Sequence, residues 1–213
     1  MKCKAIIFDL DGVIVHTDEL HYLGWKKLSD RLGIYFDRHI NNRCRGVSRM
    51  ESLDIVLERS CVVYTEQEKM DFAEEKNAYY RELLNDMSPA DVAPDVRIAL
   101  NDLKAKGYKL AIGSSSKNAR LILDRVRLAD FFYAVADGND ISNSKPDPEV
   151  FIKAADFLRE TPGSCAVIED AIAGVEAGKN CGMLTIAIGD AATANIADYN
   201  ISSLSQLISV VGF

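Results

Sequence analysis

Two aspartates, Asp9 and Asp11, close a short apolar stretch near the start of the chain, in the segment AIIFDLDGVI. An aspartate with an unperturbed pKa of about 3.9 is ionised at neutral pH and can attack phosphorus without a separate base. Two carboxylates this close repel each other, so the pair would shift its pKa values or bind a cation. A magnesium ion, which prefers oxygen ligands, would offset that repulsion and also bind phosphate oxygens. The pair therefore suggests phosphoryl transfer, although Asp-Leu-Asp-Gly could instead be only a strand end followed by a turn.

The residues around these aspartates predict the elements that position them. The apolar run 4–8 predicts a buried strand of a parallel sheet, and Asp9 comes where that strand leaves the sheet. In open α/β sheets, ligands bind outside the carboxyl ends of the strands. Further strands are predicted at 108–112, 133–136, 165–168 and 184–188, each separated from the next by a helical segment. This alternation predicts an α/β fold with a doubly wound parallel sheet.

Residues 16–88 show only helical patterns. The first helix is predicted to begin at Thr17, a plausible cap, and to end at Gly33. Three more helices follow, and the last two begin at Ser48 and Thr65, each of which has a glutamate three residues later in a capping-box pattern. We therefore predict an α/β core domain of residues 1–15 and 89–213, with an all-helical cap domain of residues 16–88 inserted after the first strand.

The composition is that of a soluble globular protein, with 48% hydrophobic and 27% charged residues among 213. The formal net charge of −7 argues against a nucleic acid or an anionic membrane as partner, because either would require a basic surface. The five cysteines are odd in number and form no C-x-x-C pair, so neither a disulfide framework nor a zinc site is indicated. No apolar run approaches about 18 residues. We expect a reduced, cytoplasmic protein that acts as a monomer.

Three further motifs follow strands of the predicted sheet. Ser114 follows the strand YKLAIG, Lys145 lies in KPDPEVF, and Glu169 and Asp170 close the strand CAVIE. Taken alone, Lys145 would be a solvated loop lysine, and the acidic pair could cap the next helix. Taken in order with Asp-Leu-Asp-Gly, the motifs resemble the signatures of the haloacid dehalogenase superfamily, which has a Rossmann-like core.

That resemblance implies a role for each motif residue. Asp9 would be the nucleophile that becomes phosphorylated, and Asp11 would be the general acid and base. Ser114 and Lys145 would hold the transferring phosphoryl oxygens. A Mg²⁺ ion would be bound by the side chains of Asp9, Glu169 and Asp170 and by the backbone carbonyl of Asp11. These roles suit phosphoryl transfer, which requires mainly positioning and neutralisation of charge.

The predicted cap contains the segments HTDELHYLGWKKL, CRGVSRMESL and EEKNAYYRELL, and the core contains SSSKNA. These segments look like those of the β-phosphoglucomutases within the superfamily, and RGVSR and SSSKN are uncommon in its general phosphatases. The resemblance implies interconversion of β-glucose 1-phosphate and glucose 6-phosphate through β-glucose 1,6-bisphosphate. Two alternatives stay open: a sugar-phosphate phosphatase, which has no need of a second phosphate clamp, and a non-catalytic phosphosugar sensor.

The resemblance also assigns the substrate contacts. The phosphate that is not being transferred would be held by Arg49, Ser116, Lys117 and Asn118. The hexose would face His21, Gly46, Val47 and Lys76, with Trp25 packed nearby. An arginine can bind phosphate with two parallel hydrogen bonds, and 116–118 lie at a predicted helix start, where free N–H groups favour anions. Taken alone, Lys117 would be a surface charge. Lys76 lies on an apolar helical stripe, so its ammonium group either extends to water or faces a polar cleft.

Overall fold

The computed structural model describes residues 3–212, and a six-stranded parallel sheet forms their centre. Its strands are β1 (Ala5–Phe8), β2 (Lys109–Gly113), β3 (Ala134–Ala136), β4 (Cys165–Glu169), β5 (Leu184–Ala187) and β6 (Tyr199–Asn200). They lie in the order β3-β2-β1-β4-β5-β6, and each neighbouring pair is parallel. The chain builds outward from β1 first on one side and then on the other. The predicted doubly wound α/β fold is therefore confirmed.

The first four helices after β1 form what we call the helical block, residues 18–84. They are α1 (Asp18–Leu32), α2 (Arg38–Arg43), α3 (Arg49–Leu57) and α4 (Glu66–Leu84). The capping boxes predicted at Ser48 and Thr65 are both present and begin α3 and α4. In each, the hydroxyl accepts the N–H of the glutamate three residues later, and that glutamate accepts the N–H of the capping residue.

The helical block has an apolar cluster of its own, which includes Trp25, Leu28 and Leu53. Tyr80 and Leu84, at the end of α4, pack instead into the apolar cluster of the core. The block is thus joined to the core by packing as well as by the chain. The exact domain boundaries at residues 15 and 88 stay a prediction.

The helices of the core alternate with its strands. They are α5 (Pro94–Ala105), α6 (Ala119–Arg125), α7 (Glu149–Leu158), α8 (Ile172–Asn180), α9 (Gly189–Thr193) and α10 (Leu207–Val211), with short 3₁₀ turns at Pro89–Asp91, Pro162–Ser164 and Leu204–Gln206. Side chains of β1 alternate between two apolar clusters, with Ile6 and Phe8 in one and Ala5 and Ile7 in the other. Both faces of β1 are buried, which explains the continuous apolar run at the start of the chain.

The predicted strands agree with the observed ones to within one residue at each end. The exception is β6, which the sequence analysis missed. It has two residues, Tyr199 and Asn200, and both are exposed at the edge of the sheet. A strand this short carries no apolar run by which it could be recognised. Among the described residues, no helix combines the length and the apolarity needed to cross a membrane.

The first helix begins and ends where the sequence predicts, but one cap differs. Gly33 ends α1 in the left-handed conformation, with φ of +70°. Thr17 occupies the position before α1 but its side chain caps no backbone N–H. Its hydroxyl donates instead to the Asp11 carboxylate. The predicted capping role of Thr17 is therefore wrong, because a nearby carboxylate takes the hydroxyl.

Candidate active site

The carboxyl ends of β1 and β4 bring three acidic side chains together. Phe8 pairs with Ile168 in the sheet, so Asp9 and Glu169 stand at the same level on adjacent strands. One carboxylate oxygen each of Asp9, Glu169 and Asp170 lies within 4.8 Å of the others. All three side chains are buried. The sheet register, set by the apolar strands, is what places the acids in one cluster.

The turn after Asp9 requires a glycine at its fourth position. Gly12 has φ of +91°, in the left-handed region that other residues rarely adopt. A Cβ atom at Gly12 would also collide with the Asp170 carboxylate. The glycine of Asp-Leu-Asp-Gly is thus explained by its left-handed backbone and by the close approach of this turn to Asp170.

Lys145 is enclosed by the acidic cluster. Its side chain is 1% exposed, and its ammonium group donates to Asp9 Oδ1 and to Glu169 Oε1. Burial alone would lower the pKa of Lys145, but the two carboxylates raise it above its usual range. The lysine is therefore a buried cation, and the interpretation as a solvated loop lysine is wrong.

Burial and mutual repulsion raise the pKa of the clustered acids. The pKa of Asp9 is raised to about 7, chiefly by burial, although Lys145 opposes the shift. Burial and the charge of Asp9 raise the pKa of Asp11 to about 7, against the hydrogen bond from Thr17. Burial and Asp9 likewise raise the pKa of Asp170 to about 7. Burial is thus the largest cause of each shift, and repulsion between the carboxylates adds to it.

This cluster fits a hard divalent cation. Its donors are carboxylate oxygens alone, which is the ligand type that Mg²⁺ prefers. A bound cation would also stabilise the ionised carboxylates against the burial and the repulsion that raise their pKa values. We conclude that the residues present are compatible with a magnesium site.

The acidic pair at the end of β4, Glu169 and Asp170, does not cap the next helix. Ala171 occupies the position before α8, and no side chain caps it there. Glu169 Oε2 instead accepts the backbone N–H groups of Asp170 and Ala171, at 3.0 and 3.1 Å. The Asp170 carboxylate turns away to contact Arg45. The alternative interpretation of Asp170 as a helix cap is therefore wrong.

A cavity of about 110 Å³ lies between the helical block and the acidic end of the sheet. The structure brings to its wall all but one of the residues predicted for the site: Asp9, Asp11, His21, Trp25, Gly46, Val47, Arg49, Lys76, Ser114, Ser116, Asn118, Lys145, Glu169 and Asp170. The exception is Lys117, which is exposed and whose side chain does not line the cavity. The backbone carbonyl of Lys117 accepts a hydrogen bond from Asn139 Nδ2 at 3.0 Å, so this contact fixes the backbone of Lys117 and not its side chain.

Lys76 and His21 form a buried pair on the wall given by the helical block. Lys76 is 3% exposed, so its ammonium group faces the cavity and does not extend to water. Its Nζ lies 3.0 Å from His21 Nδ1 and 4.6 Å from the ring centres of Trp25 and Tyr80. Burial and the charge of Arg49 lower the pKa of Lys76 to about 7. Burial and Lys76 hold the pKa of His21 well below its usual range, so the imidazole is neutral.

A second set of polar groups lines the same cavity and comes from both the helical block and the core. Arg49 Nη1 donates to Glu74 Oε1 at 2.7 Å, and its side chain is 19% exposed. Asn118 is buried just before α6, and its Nδ2 donates to Asn77 Oδ1 of α4 at 3.0 Å. Ser116 Oγ accepts the N–H of Asn118 at 3.2 Å. The helical block and the core thus both contribute hydrogen-bonding groups here.

Comparison with known proteins identifies the family. The sequence model of the haloacid dehalogenase-like hydrolases matches residues 3–182. The chain belongs to this family. It is therefore a haloacid dehalogenase-like enzyme, and the identity predicted from the four motifs is confirmed.

Known proteins also resemble the chain over most of its length. A β-phosphoglucomutase of Bacillus subtilis is 40% identical over 206 residues, which are 96% of this chain and 91% of the relative. A phosphorylated carbohydrates phosphatase of Thermotoga maritima is 33% identical over 184 residues, 84% of this chain and 82% of the relative. The crystal structure of a β-phosphoglucomutase from Clostridium difficile superposes with a TM-score of 0.90 at 38% identity, covering 96% of this chain and 93% of that one.

Arg45 is one of the cavity-lining residues that the sequence analysis missed. Arg45 lies in the turn after α2, lines the cavity and contacts the Asp170 carboxylate. It precedes Gly46 in the segment CRGVSRMESL, which was already singled out. The sequence therefore showed an arginine beside a glycine in a motif that was already singled out. No neighbouring residue indicates which carboxylate this arginine contacts.

Proposed function

We propose that the chain interconverts β-D-glucose 1-phosphate and glucose 6-phosphate through β-glucose 1,6-bisphosphate, with an aspartyl phosphate on Asp9. The observation that carries this proposal is a single cavity with two polar centres. One centre is the acidic cluster with Lys145, and the other contains Arg49 and Asn118. A hexose bisphosphate has one phosphate for each centre. The similarity to β-phosphoglucomutases over nearly the whole chain supports the same substrates.

In the first half of the cycle, Asp9 takes a phosphoryl group from the bisphosphate. A carboxylate oxygen of Asp9 bonds to phosphorus as the bond between phosphorus and the sugar oxygen breaks. The carboxyl group of Asp11 gives its proton to that departing oxygen. With a pKa raised to about 7, Asp11 is populated in both protonation states near neutral pH, as an acid and base must be.

In the second half, phospho-Asp9 gives the phosphoryl group to a hydroxyl of the monophosphate. The hydroxyl oxygen bonds to phosphorus, the bond to Asp9 breaks, and Asp11 accepts the hydroxyl proton. The bisphosphate formed in this way turns around before the next first half, so that its other phosphate meets Asp9. Arg49, Ser116 and Asn118 then hold whichever phosphate is not reacting.

Charge neutralisation comes from groups that the fold already holds in place. Lys145, fixed between Asp9 and Glu169, offers its ammonium group to the transferring oxygens. Ser114 offers a hydroxyl from the end of β2. A magnesium ion, when bound by Asp9, Glu169, Asp170 and the Asp11 carbonyl, adds positive charge at those oxygens.

Water must be kept from the aspartyl phosphate if the enzyme is to act as a mutase. The cavity is covered by the helical block, which contacts the core through the Asn77–Asn118 hydrogen bond and through Ser115 Oγ, 3.4 Å from the Gly46 carbonyl oxygen. A sugar that holds the block against the core would exclude water before transfer takes place.

A coupled assay tests the proposal against the phosphatase alternative. With β-glucose 1-phosphate, magnesium and a catalytic amount of the bisphosphate, we expect glucose 6-phosphate to form much faster than inorganic phosphate is released. The similarity to the carbohydrate phosphatase makes phosphate release the necessary parallel measurement. Fast phosphate release with little glucose 6-phosphate would establish a phosphatase in place of the mutase.

Arg49→Ala is expected to lower mutase kcat/KM by about 10- to 100-fold, because a charge-assisted contact to phosphate contributes about 1.5–3 kcal/mol. Hydrolysis of acetyl phosphate, which has no second phosphate, should change little. The control is Arg43→Ala, since Arg43 pairs with Glu58 on the exposed surface of the helical block. Equal losses with both substrates would contradict the phosphate role of Arg49.

A further inference from the structure

Arg45 is surrounded by three carboxylates from three parts of the chain. Its Nη1 lies 2.6 Å from Asp190 Oδ2, at the start of α9, and its Nε lies 3.5 Å from Asp18 Oδ1, at the start of α1. Its Nη2 contacts Asp170 Oδ2 in the acidic cluster. An arginine presents five N–H donors in a fixed plane, so one guanidinium can serve several carboxylates.

Two of these ion pairs join the helical block to the core. Asp170 and Asp190 belong to the core, whereas Arg45 belongs to the helical block. Every other ion pair made by a lysine or arginine of the block, within residues 3–212, has its carboxylate inside the block. Arg45 is therefore the residue whose ion pairs link the two parts of the described chain.

One carboxylate that Arg45 contacts, Asp170, belongs to the acidic cluster proposed to bind the cation. The side chain of Asp170 is 6% exposed and that of Arg45 is 21% exposed, so water screens their interaction less than it screens a surface pair. A guanidinium and a divalent cation at the same carboxylate repel each other. Each therefore weakens the hold of the other on Asp170, even where both find an oxygen to bind.

We propose that Arg45 is a positioning residue that makes closure of the helical block compete with cation binding at Asp170. Coupling of this kind is reciprocal: closure lowers cation affinity, and a bound cation loosens the block by the same factor. The proposal rests on the magnesium site of the proposed function, but it does not depend on which phosphate ester is the substrate.

Cation binding to the full chain tests the proposal. In isothermal titration calorimetry, we expect Arg45→Gln to bind Mn²⁺ about tenfold more tightly than the wild type does. This change in Kd corresponds to about 1.4 kcal/mol of binding free energy. Arg45→Lys keeps the charge and is expected to stay within about threefold of the wild type. Arg43→Gln is the matched control, because it removes a neighbouring arginine whose pair lies within the block. Unchanged or weaker Mn²⁺ binding by Arg45→Gln would overturn the proposal.

Hydrogen exchange of the wild type gives a second test that does not depend on the folding of a variant. Adding Mg²⁺ should speed amide exchange in the turn 44–48, which carries Arg45. In Arg45→Gln, that turn should exchange fast with or without the cation. Slower exchange on adding Mg²⁺ to the wild type would show that the cation tightens closure, and the proposal would fail. Neither measurement uses a sugar phosphate, so both give an answer even if the coupled assay finds no mutase activity.

Discussion

Asp9→Asn is expected to lower turnover of β-glucose 1-phosphate by about a thousandfold or more, because an amide cannot form the acyl phosphate. The variant keeps the size of the side chain, so the loss reports the missing nucleophile and not a cavity. After mixing with a phosphoryl donor, intact-protein mass spectrometry should show a phosphorylated fraction for the wild type and none for Asp9→Asn.

The control for this prediction is Asp124→Asn, which makes the same chemical change at an exposed position of α6. It should retain wild-type turnover and phosphorylation. Circular dichroism would show that both variants are folded. If Asp9→Asn kept ordinary turnover, or if the phosphoryl group were found on another side chain, Asp9 would not be the nucleophile.

Features of the fold set by nearby residues could be predicted from the sequence. The capping boxes at Ser48 and Thr65 depend on residues three apart, and both form as predicted. The apolar run before Asp9 is a strand because both faces of the sheet are covered. The strand ends then place Asp9 and Glu169 together, because the carboxyl ends of parallel strands meet at one edge.

Contacts between distant parts of the chain could not be predicted in the same way. Arg45 and Asp170 are 125 residues apart, and no local pattern links them. Thr17 looks like a helix cap until the fold places Asp11 beside it. Lys145 and Lys117 are both loop lysines in sequence, yet one is buried between acids and the other is exposed. Only tertiary structure distinguishes them.

The resemblance to a family, and not periodicity, assigned the chemical roles. Periodicity placed Lys76 on an apolar stripe and left open whether it reached water or faced a cleft. The structure decides that it is buried beside His21, but its role toward a sugar stays a proposal. A buried lysine without a carboxylate partner has a cost in stability that can be measured.

The way in which this cost in stability changes with pH follows from the protons that Lys76 binds in the folded and unfolded states. In the unfolded chain, Lys76 keeps its proton up to its ordinary pKa, whereas burial lowers the pKa in the folded protein from 10.5 to about 7. Between these values the unfolded state binds more protons than the folded state. Stability contributed by this group therefore increases as the pH rises from about 7 to about 10.5.

Lys76→Met is accordingly expected to raise the free energy of unfolding at pH 7 by about 3–5 kcal/mol, since each pKa unit corresponds to about 1.36 kcal/mol. Urea unfolding at several pH values should show the advantage of the variant shrinking as the pH approaches 10.5. Lys69→Met, on the same helix, removes a half-buried ammonium group that lies 2.9 Å from Asp54 and should show no such pH-dependent gain. A gain independent of pH would mean that methionine simply packs better beside Trp25 and Tyr80.

We also expect Lys76→Met to lose mutase turnover, because the amine that it removes faces the cavity where the hexose would bind.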